Sequence, residues 1–165
     1  QSIANIKPDF PVIPPLAGGV RCDCYKTAKG KTYNWPATSV SKSEVTTKLV
    51  ARYPKLRTLG RIERINVVER TGVGRPRILE VVGAAGKASR ILAEDLRLAV
   101  GSRVIRSTNC DIRNEPERFV FANGRGFGHG MGMCQWGAEA MALAGQPASH
   151  ILKHYYPTLN LTRAY

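Results

Sequence analysis

Gly124-Arg125-Gly126-Phe127-Gly128-His129-Gly130-Met131-Gly132-Met133-Cys134-Gln135-Trp136-Gly137-Ala138 is the stretch on which the reading of this chain turns. Its glycines occupy every second position from Gly124 to Gly132. In an extended segment that spacing strips one face of side chains, so another backbone or a flat ligand can approach closely. Arg125, Phe127, His129, Met131 and Met133 then project from the other face. Beyond them Ala138-Glu139-Ala140-Met141-Ala142-Leu143-Ala144 is a run of strong helix formers closed by Gly145. The stretch therefore predicts a glycine-rich strand or loop running into a helix.

Two plainer readings compete with a binding role. A phosphate cradle fits poorly, because neither Gly-Lys-Ser/Thr at a helix start nor Gly-x-Gly-x-x-Gly in a strand-turn-helix unit is present in good form. A purely structural glycine strand in a packed barrel is the second. Against it, His129, Gln135 and Trp136 fall within eight residues, more functional side chains than packing requires.

The run from Gly126 to Ala138, followed by Ile151-Leu152-Lys153-His154-Tyr155-Tyr156-Pro157, closely resembles the end of the stage II sporulation protein D domain, whose family also includes the amidase-enhancer proteins. A weaker likeness continues upstream through Trp35, Gly74-Arg75, Asp95-Leu96-Arg97 and Ser107-Thr108. It covers nearly all of this chain but only the later part of the family's domain. The resemblance implies an extracytoplasmic cell-envelope protein acting on peptidoglycan. In some members this is a lytic transglycosylase, cleaving MurNAc-GlcNAc bonds to anhydro-muropeptides. The alternative it allows is a non-catalytic wall-binding module that enhances an N-acetylmuramoyl-L-alanine amidase.

Composition narrows the class. At 165 residues, 43% hydrophobic and 22% charged, the chain predicts one ordinary domain with a real core. No apolar run approaches 18 residues, so no transmembrane segment is expected. The start, Gln1-Ser2-Ile3-Ala4-Asn5-Ile6-Lys7-Pro8, has neither an initiating Met nor a hydrophobic region and reads as a mature, truncated or processed piece. A net charge of +13 steers the protein toward anionic polymers. Its 25 Lys and Arg are scattered, without the basic blocks and aromatic interleaving that hold nucleic acid, and a bacterial wall is also polyanionic. The partner expected is the peptidoglycan glycan strand, together with an amidase or a separate chain carrying a catalytic Glu, and no nucleic acid.

Cys22, Cys24, Cys110 and Cys134 are too few for a disulfide scaffold. Cys22-Asp23-Cys24 supplies half of a tetrahedral zinc site, with no second Cys or His pair at matching spacing. Unlinked or oxidised thiols are the plainer reading. The resemblance implies partners for this pair earlier in the domain, outside the chain, so a structural zinc on Cys22 and Cys24 is admitted while no cofactor is required.

In chain order, Pro8, Pro11, Pro14 and Pro15 make residues 1–20 an extended arm, followed by a single domain over residues 21–165. Ser41-Lys42-Ser43-Glu44 predicts a capping box before a helix Glu44 to Arg52, stopped by Tyr53-Pro54. Arg61 to Arg70 and Arg77 to Val82 predict a hairpin, Ala93 to Val100 a short helix ending at Gly101, and Arg103 to Ser107 and Arg118 to Phe121 further strands. The fold class is α+β, an antiparallel β-rich core with a few short helices and a glycine-rich strand leading into a C-terminal helix pair.

Glycosidic cleavage needs an acid at the leaving oxygen. In the family the resemblance points to, the catalytic Glu precedes the matched region, and no residue here aligns with it. Glu44, Glu94, Asp95 and Glu139 sit at helix starts, where capping or dipole roles explain them, and Glu63, Glu69 and Glu80 read as solvent-facing strand charges. Asp111 alone stands as a weak catalytic candidate. The substrate-binding residues expected are His129, Gln135, Trp136, Arg97 and Ser107, with Gly128 and Gly130 giving backbone access. His129 and Gln135 are expected close together in a surface groove. Trp35, Tyr155 and Tyr156 are expected in the core.

Overall fold

The cap read at Ser41 forms: its Oγ accepts the Glu44 N–H at 3.2 Å. Helix α1 (Lys42–Arg52) follows and stops at Tyr53, because Pro54 disfavours helical backbone in the residue before it. This computed structural model describes residues 20–28 and 33–162, so the arm expected over residues 1–20 falls, but for Val20, outside them. The described residues group into two compact units, a larger one of residues 34–129 and a smaller one of residues 20–28, 33 and 130–162.

In the larger unit every strand ladder is antiparallel, as an α+β chain of this kind predicts. Strand β1 is Asn34–Trp35 and β2 is Thr38–Ser41. The expected hairpin is β3 (Ile62–Arg70) with β4 (Pro76–Gly83), and β5 (Ala88–Leu92) completes a sheet of order β3-β4-β5. A register shift between Ile62 and Arg64 adds a residue to β3, which carries both Ile62 and Ile65 to the buried side although they are three apart. After helix α2 (Ala93–Val100), β6 (Asp111–Asn114) and β7 (Arg118–Ala122) join β2 in the order β2-β7-β6. Phe119 and Phe121 alternate inward along central β7 and are fully buried. They meet Val45 and Leu49 of α1, Ile65, Leu79 and Leu96 in one core.

Polar groups fasten this core. Lys42 is buried beside Glu63, Nζ to Oε2 3.0 Å, with its ammonium 5.8 Å from the Phe119 ring centroid. Lys48 Nζ donates to Val100 O at 2.9 Å, a cation at the C-terminus of α2. Asn114 behaves as a strand backbone: its Oδ1 accepts the Ile65 N–H at 2.8 Å and its Nδ2 donates to Ile65 O at 3.1 Å. It thereby joins the two three-stranded sheets. Asn114→Ala leaves both Ile65 groups without a partner and is expected to lower stability by about 1–3 kcal/mol, read by urea unfolding. A loss under about 0.5 kcal/mol would mean water replaces the amide there.

Two sequence expectations are corrected. Arg103 to Ser107 is a turn, because Val104 and Ile105 N–H both return to Gly101 O at 3.0 Å, and only a single parallel bridge, Ser107 to Gly128, remains of the strand. The glycine stretch is a strand only at β8 (Gly124–Arg125), which pairs with β1. From there Gly126, Gly128, Gly130 and Gly132 take φ of 72°, 103°, 75° and 62°. The alternation supplies left-handed backbone at every second residue rather than a bare face on an extended strand.

In the smaller unit the expected helix pair is α3 (Gln135–Leu143) and α4 (Ala148–Tyr155). Helix α3 lies against a 3-10 turn at Cys24–Lys26, where the Thr27 hydroxyl donates to Trp136 O at 2.6 Å. No helix among the described residues is long and apolar enough to cross a membrane.

Candidate functional site

In the larger unit, pairing of β1 with β8 sets Trp35 opposite Gly124. The indole lies on that glycine: a Cβ at Gly124 would fall 1.9 Å from the ring. Trp35 is consequently buried at 4% exposure, the core residue expected rather than an open sugar platform. Its Nε1 is buried without a partner among the described residues. Beside it opens a groove of about 440 Å³ lined by Asn34, Trp35, Arg113, Asn123, Gly124 and Arg125, among others. Neither Arg113 nor Arg125 has an ion-pair partner among the described residues. Two guanidinium forks and two side-chain amides on one groove suit a carboxylate or phosphate on a polar ligand. Arg113 escapes a sequence reading because β6 is a short polar strand with no strong alternation.

Of the expected substrate residues, Ser107 and Arg97 are buried. Ser107 is 0% exposed, donating from Oγ to Arg125 O at 2.6 Å and accepting the Asn109 N–H at 3.2 Å. It holds the backbone that enters the glycine loop. Arg97 donates to Glu94 Oε1 at 2.7 Å and to Arg106 O at 3.2 Å. Glu94 stands at the helix start, as expected, but is also buried in this pair, its Oε2 unpartnered among the described residues. Burial pushes its carboxyl up, while Arg97 and, at longer range, His129 pull it down, and burial wins. Asp95 supplies the helix cap, accepting the Leu92 N–H at 3.3 Å and a short bond from the Tyr53 hydroxyl. Asp111 is exposed and accepts from Asn123 Nδ2 at 2.7 Å, next to the groove.

His129 is exposed and is the last residue of the larger unit, whereas Gln135 and Trp136, also exposed, open α3 in the smaller one. Gly128 and Gly130 are half-buried. In the smaller unit the glycine stretch does something its sequence did not announce. Cys134 at the N-cap of α3 comes together with Cys22 and Cys24, all three sulfurs lying within 4.8 Å of one another. The three thiols are close enough to hold a metal. Tyr155 joins them, its hydroxyl 3.3 Å from Cys22 Sγ. Gly137 makes the room, since a Cβ there would lie 2.0 Å from that hydroxyl and 2.4 Å from Cys22 Sγ. Hydrogen bonding from Cys134, helped by Tyr155 and the Cys24 N–H, outweighs burial and holds the Cys22 thiol down at about 5. Cys134, as its donor, is pushed up, and Cys24 is pushed up by burial and the charge on Cys22. Cys110 stands apart in the core of the larger unit, where burial pushes it up to about 12.

Residues 22–132 match the family described as a domain of unknown function, DUF8618. The chain belongs to that family. The match opens on Cys22 and closes before Cys134, so the third thiol of the cluster lies beyond it. The amidase enhancer of Bacillus subtilis (strain 168) is 43% identical over 68 residues, 41% of this chain and 10% of that protein. An uncharacterized protein of Brachyspira hyodysenteriae is 31% identical over 99 residues, 56% of this chain and 26% of the other. Stage II sporulation protein D of Bacillus amyloliquefaciens is 31% identical over 85 residues, 52% of this chain and 24% of its own length. The resemblance read in the glycine stretch thus holds, over part of the chain. The chain spans about a tenth to a quarter of the length of these relatives.

Proposed function

We propose that this chain is the wall-binding part of an extracytoplasmic cell-envelope protein, holding peptidoglycan glycan strands and working with an N-acetylmuramoyl-L-alanine amidase. The observation that carries the reading is the groove with two guanidinium groups, Arg113 and Arg125, that pair with nothing else described. A glycan strand freed of its peptides presents a lactyl carboxylate on each muramic acid, and such a group matches a bidentate arginine. The excess of 25 Lys and Arg over 12 Asp and Glu adds attraction to a polyanionic wall. The likeness to a protein named amidase enhancer supports the partner.

The finer reading, a glycan cradle within a lytic transglycosylase, needs an acid from elsewhere in the protein. Glu94 is tied to Arg97 inside the core, and Asp111 is exposed and taken up by the Asn123 amide. His129, exposed at the end of the glycine loop, is the proposed donor to sugar hydroxyl or N-acetyl groups in either reading, with Gln135 and Trp136 as further contacts. A zinc ion, in this reading, is a structural element of the smaller unit and takes no part in holding glycan.

Sedimentation with isolated glycan strands tests the proposal. Each charged hydrogen bond is worth about 1.5–3 kcal/mol, so Arg113→Ala with Arg125→Ala should weaken binding about tenfold or more, and His129→Ala by a smaller factor. Digests analysed by mass spectrometry should contain no anhydro-muropeptides, and an added amidase should release stem peptides faster. Binding unchanged in the double arginine variant would overturn the groove. Anhydro products from this chain would restore the transglycosylase reading, with Asp111 the first residue to replace.

A further inference from the structure

We propose that Cys22, Cys24 and Cys134 bind one zinc ion through three thiolates, leaving the fourth position to a light-atom donor outside the trio. Zinc held at about 2.3 Å by tetrahedral sulfurs sets them about 3.8 Å apart. The three sulfurs already sit within 4.8 Å of one another, so the ion closes the cluster with small side-chain movement. Thiolate donors select borderline-soft divalent ions, and zinc brings no redox chemistry with it. A disulfide would consume two of these sulfurs and leave the third without a role, whereas the geometry is mutual among all three.

The surroundings are those of ligands held in place from behind. The Tyr155 hydroxyl stands 3.3 Å from Cys22 Sγ, and Cys134 sits at the N-cap of α3, beside the unpaired N–H groups of the helix's first turn. Such outer hydrogen bonds orient metal-bound thiolates and delocalise their charge. The space is kept open by Gly137, whose missing side chain would otherwise occupy it. Within these residues no fourth cysteine is offered, because Cys110 lies in the core of the larger unit. Nor does His154 belong to the cluster, its Nε2 lying 2.8 Å from Arg21 O. On binding, any thiol protons leave to solvent, and three thiolates with a divalent cation leave a net charge of −1, which a neutral fourth ligand such as water leaves unchanged.

The ion has a consequence for the chain as a whole. Cys22 and Cys24 lie more than a hundred residues before Cys134, and the metal cross-links the N-terminal segment to the end of the glycine motif. Sequence spacing could not reveal this, because the third ligand is alone and distant.

The test uses the 165-residue chain, reduced and stripped of metal, then given zinc and desalted. Elemental analysis should find about one equivalent. X-ray absorption at the zinc edge should find three sulfurs at about 2.3 Å and one light atom at about 2.0–2.2 Å. Cys134→Ser should lower zinc affinity at least tenfold and leave two sulfurs. Protein that retains no zinc, or that has lost two titratable thiols to a disulfide under reducing conditions, overturns the inference. So does a wild-type spectrum with two or four sulfurs, or a Cys134→Ser variant with unchanged affinity. Should that variant not fold, the wild-type absorption spectrum decides alone. Metal content is read without glycan, so failure here and failure of the wall-binding reading are distinguishable.

Discussion

Arg97→Ala is expected to destabilise the protein by about 3–5 kcal/mol, because it strands a buried carboxylate. Arg97 and Glu94 are both buried, their bond is 2.7 Å, and Glu94 Oε2 already lacks a partner among the described residues. Replacing both by apolar residues of similar volume, Glu94→Leu with Arg97→Met, removes the charge along with its partner and should cost far less. The loss should also depend on pH. Burial raises the folded-state pKa of Glu94 above its ordinary value, so the protonated carboxyl is the form the fold prefers. Its contribution is therefore most favourable below the unfolded carboxylate pKa and declines as pH rises through that value toward the folded one. Without Arg97 the folded pKa rises further, so the Arg97→Ala loss should be larger at pH 7 than near pH 4. Urea unfolding of the single and double variants at both pH values checks this. A loss equal at the two pH values would mean that Glu94 is not the stranded charge.

Gly124→Ala should be nearly as damaging, by a steric route. The added methyl would lie 1.9–2.2 Å from three atoms of the Trp35 ring, which is 4% exposed and hemmed in by the core. An indole cannot yield that distance within its own rotamer, so either the β1–β8 pairing opens or Trp35 leaves the core. Losing a large aromatic from a core costs about 3–5 kcal/mol. The comparison that isolates the cause is Trp35→Ala. In that background the new methyl meets no ring, and Gly124→Ala should cost under about 1 kcal/mol, a coupling that a double-mutant cycle reads directly. Full additivity would place the strain in the backbone at Gly124 instead. Because β8 and Trp35 also line the groove, Gly124→Ala should weaken glycan binding even at temperatures where the protein stays folded.

What the sequence settled by itself was local or written in a long motif. The cap at Ser41, the stop at Tyr53-Pro54, the β3–β4 hairpin and α2 ending at Gly101 all follow from short-range rules of capping, β-branching and turn residues, and all are in the structure. The family likeness was legible because the Gly126 to Ala138 run is long and compositionally unusual. Tertiary structure decided the rest, where residues far apart in the chain meet. Alternating glycines admit either a flat face or left-handed turns, and only the packed chain chose the turns. Glu94 reads as a helix-start acid until its burial with Arg97 is known, since desolvation depends on what covers a group and not on its neighbours in sequence. Arg113 and Arg125 share a groove because β7, which pairs with β6, runs directly on into β8, and Cys134 reaches Cys22 and Cys24 because a glycine at position 137 lets α3 sit down on their turn. Sequence spacing carries no record of such contacts, because they are made by the folded surfaces that bring the segments together.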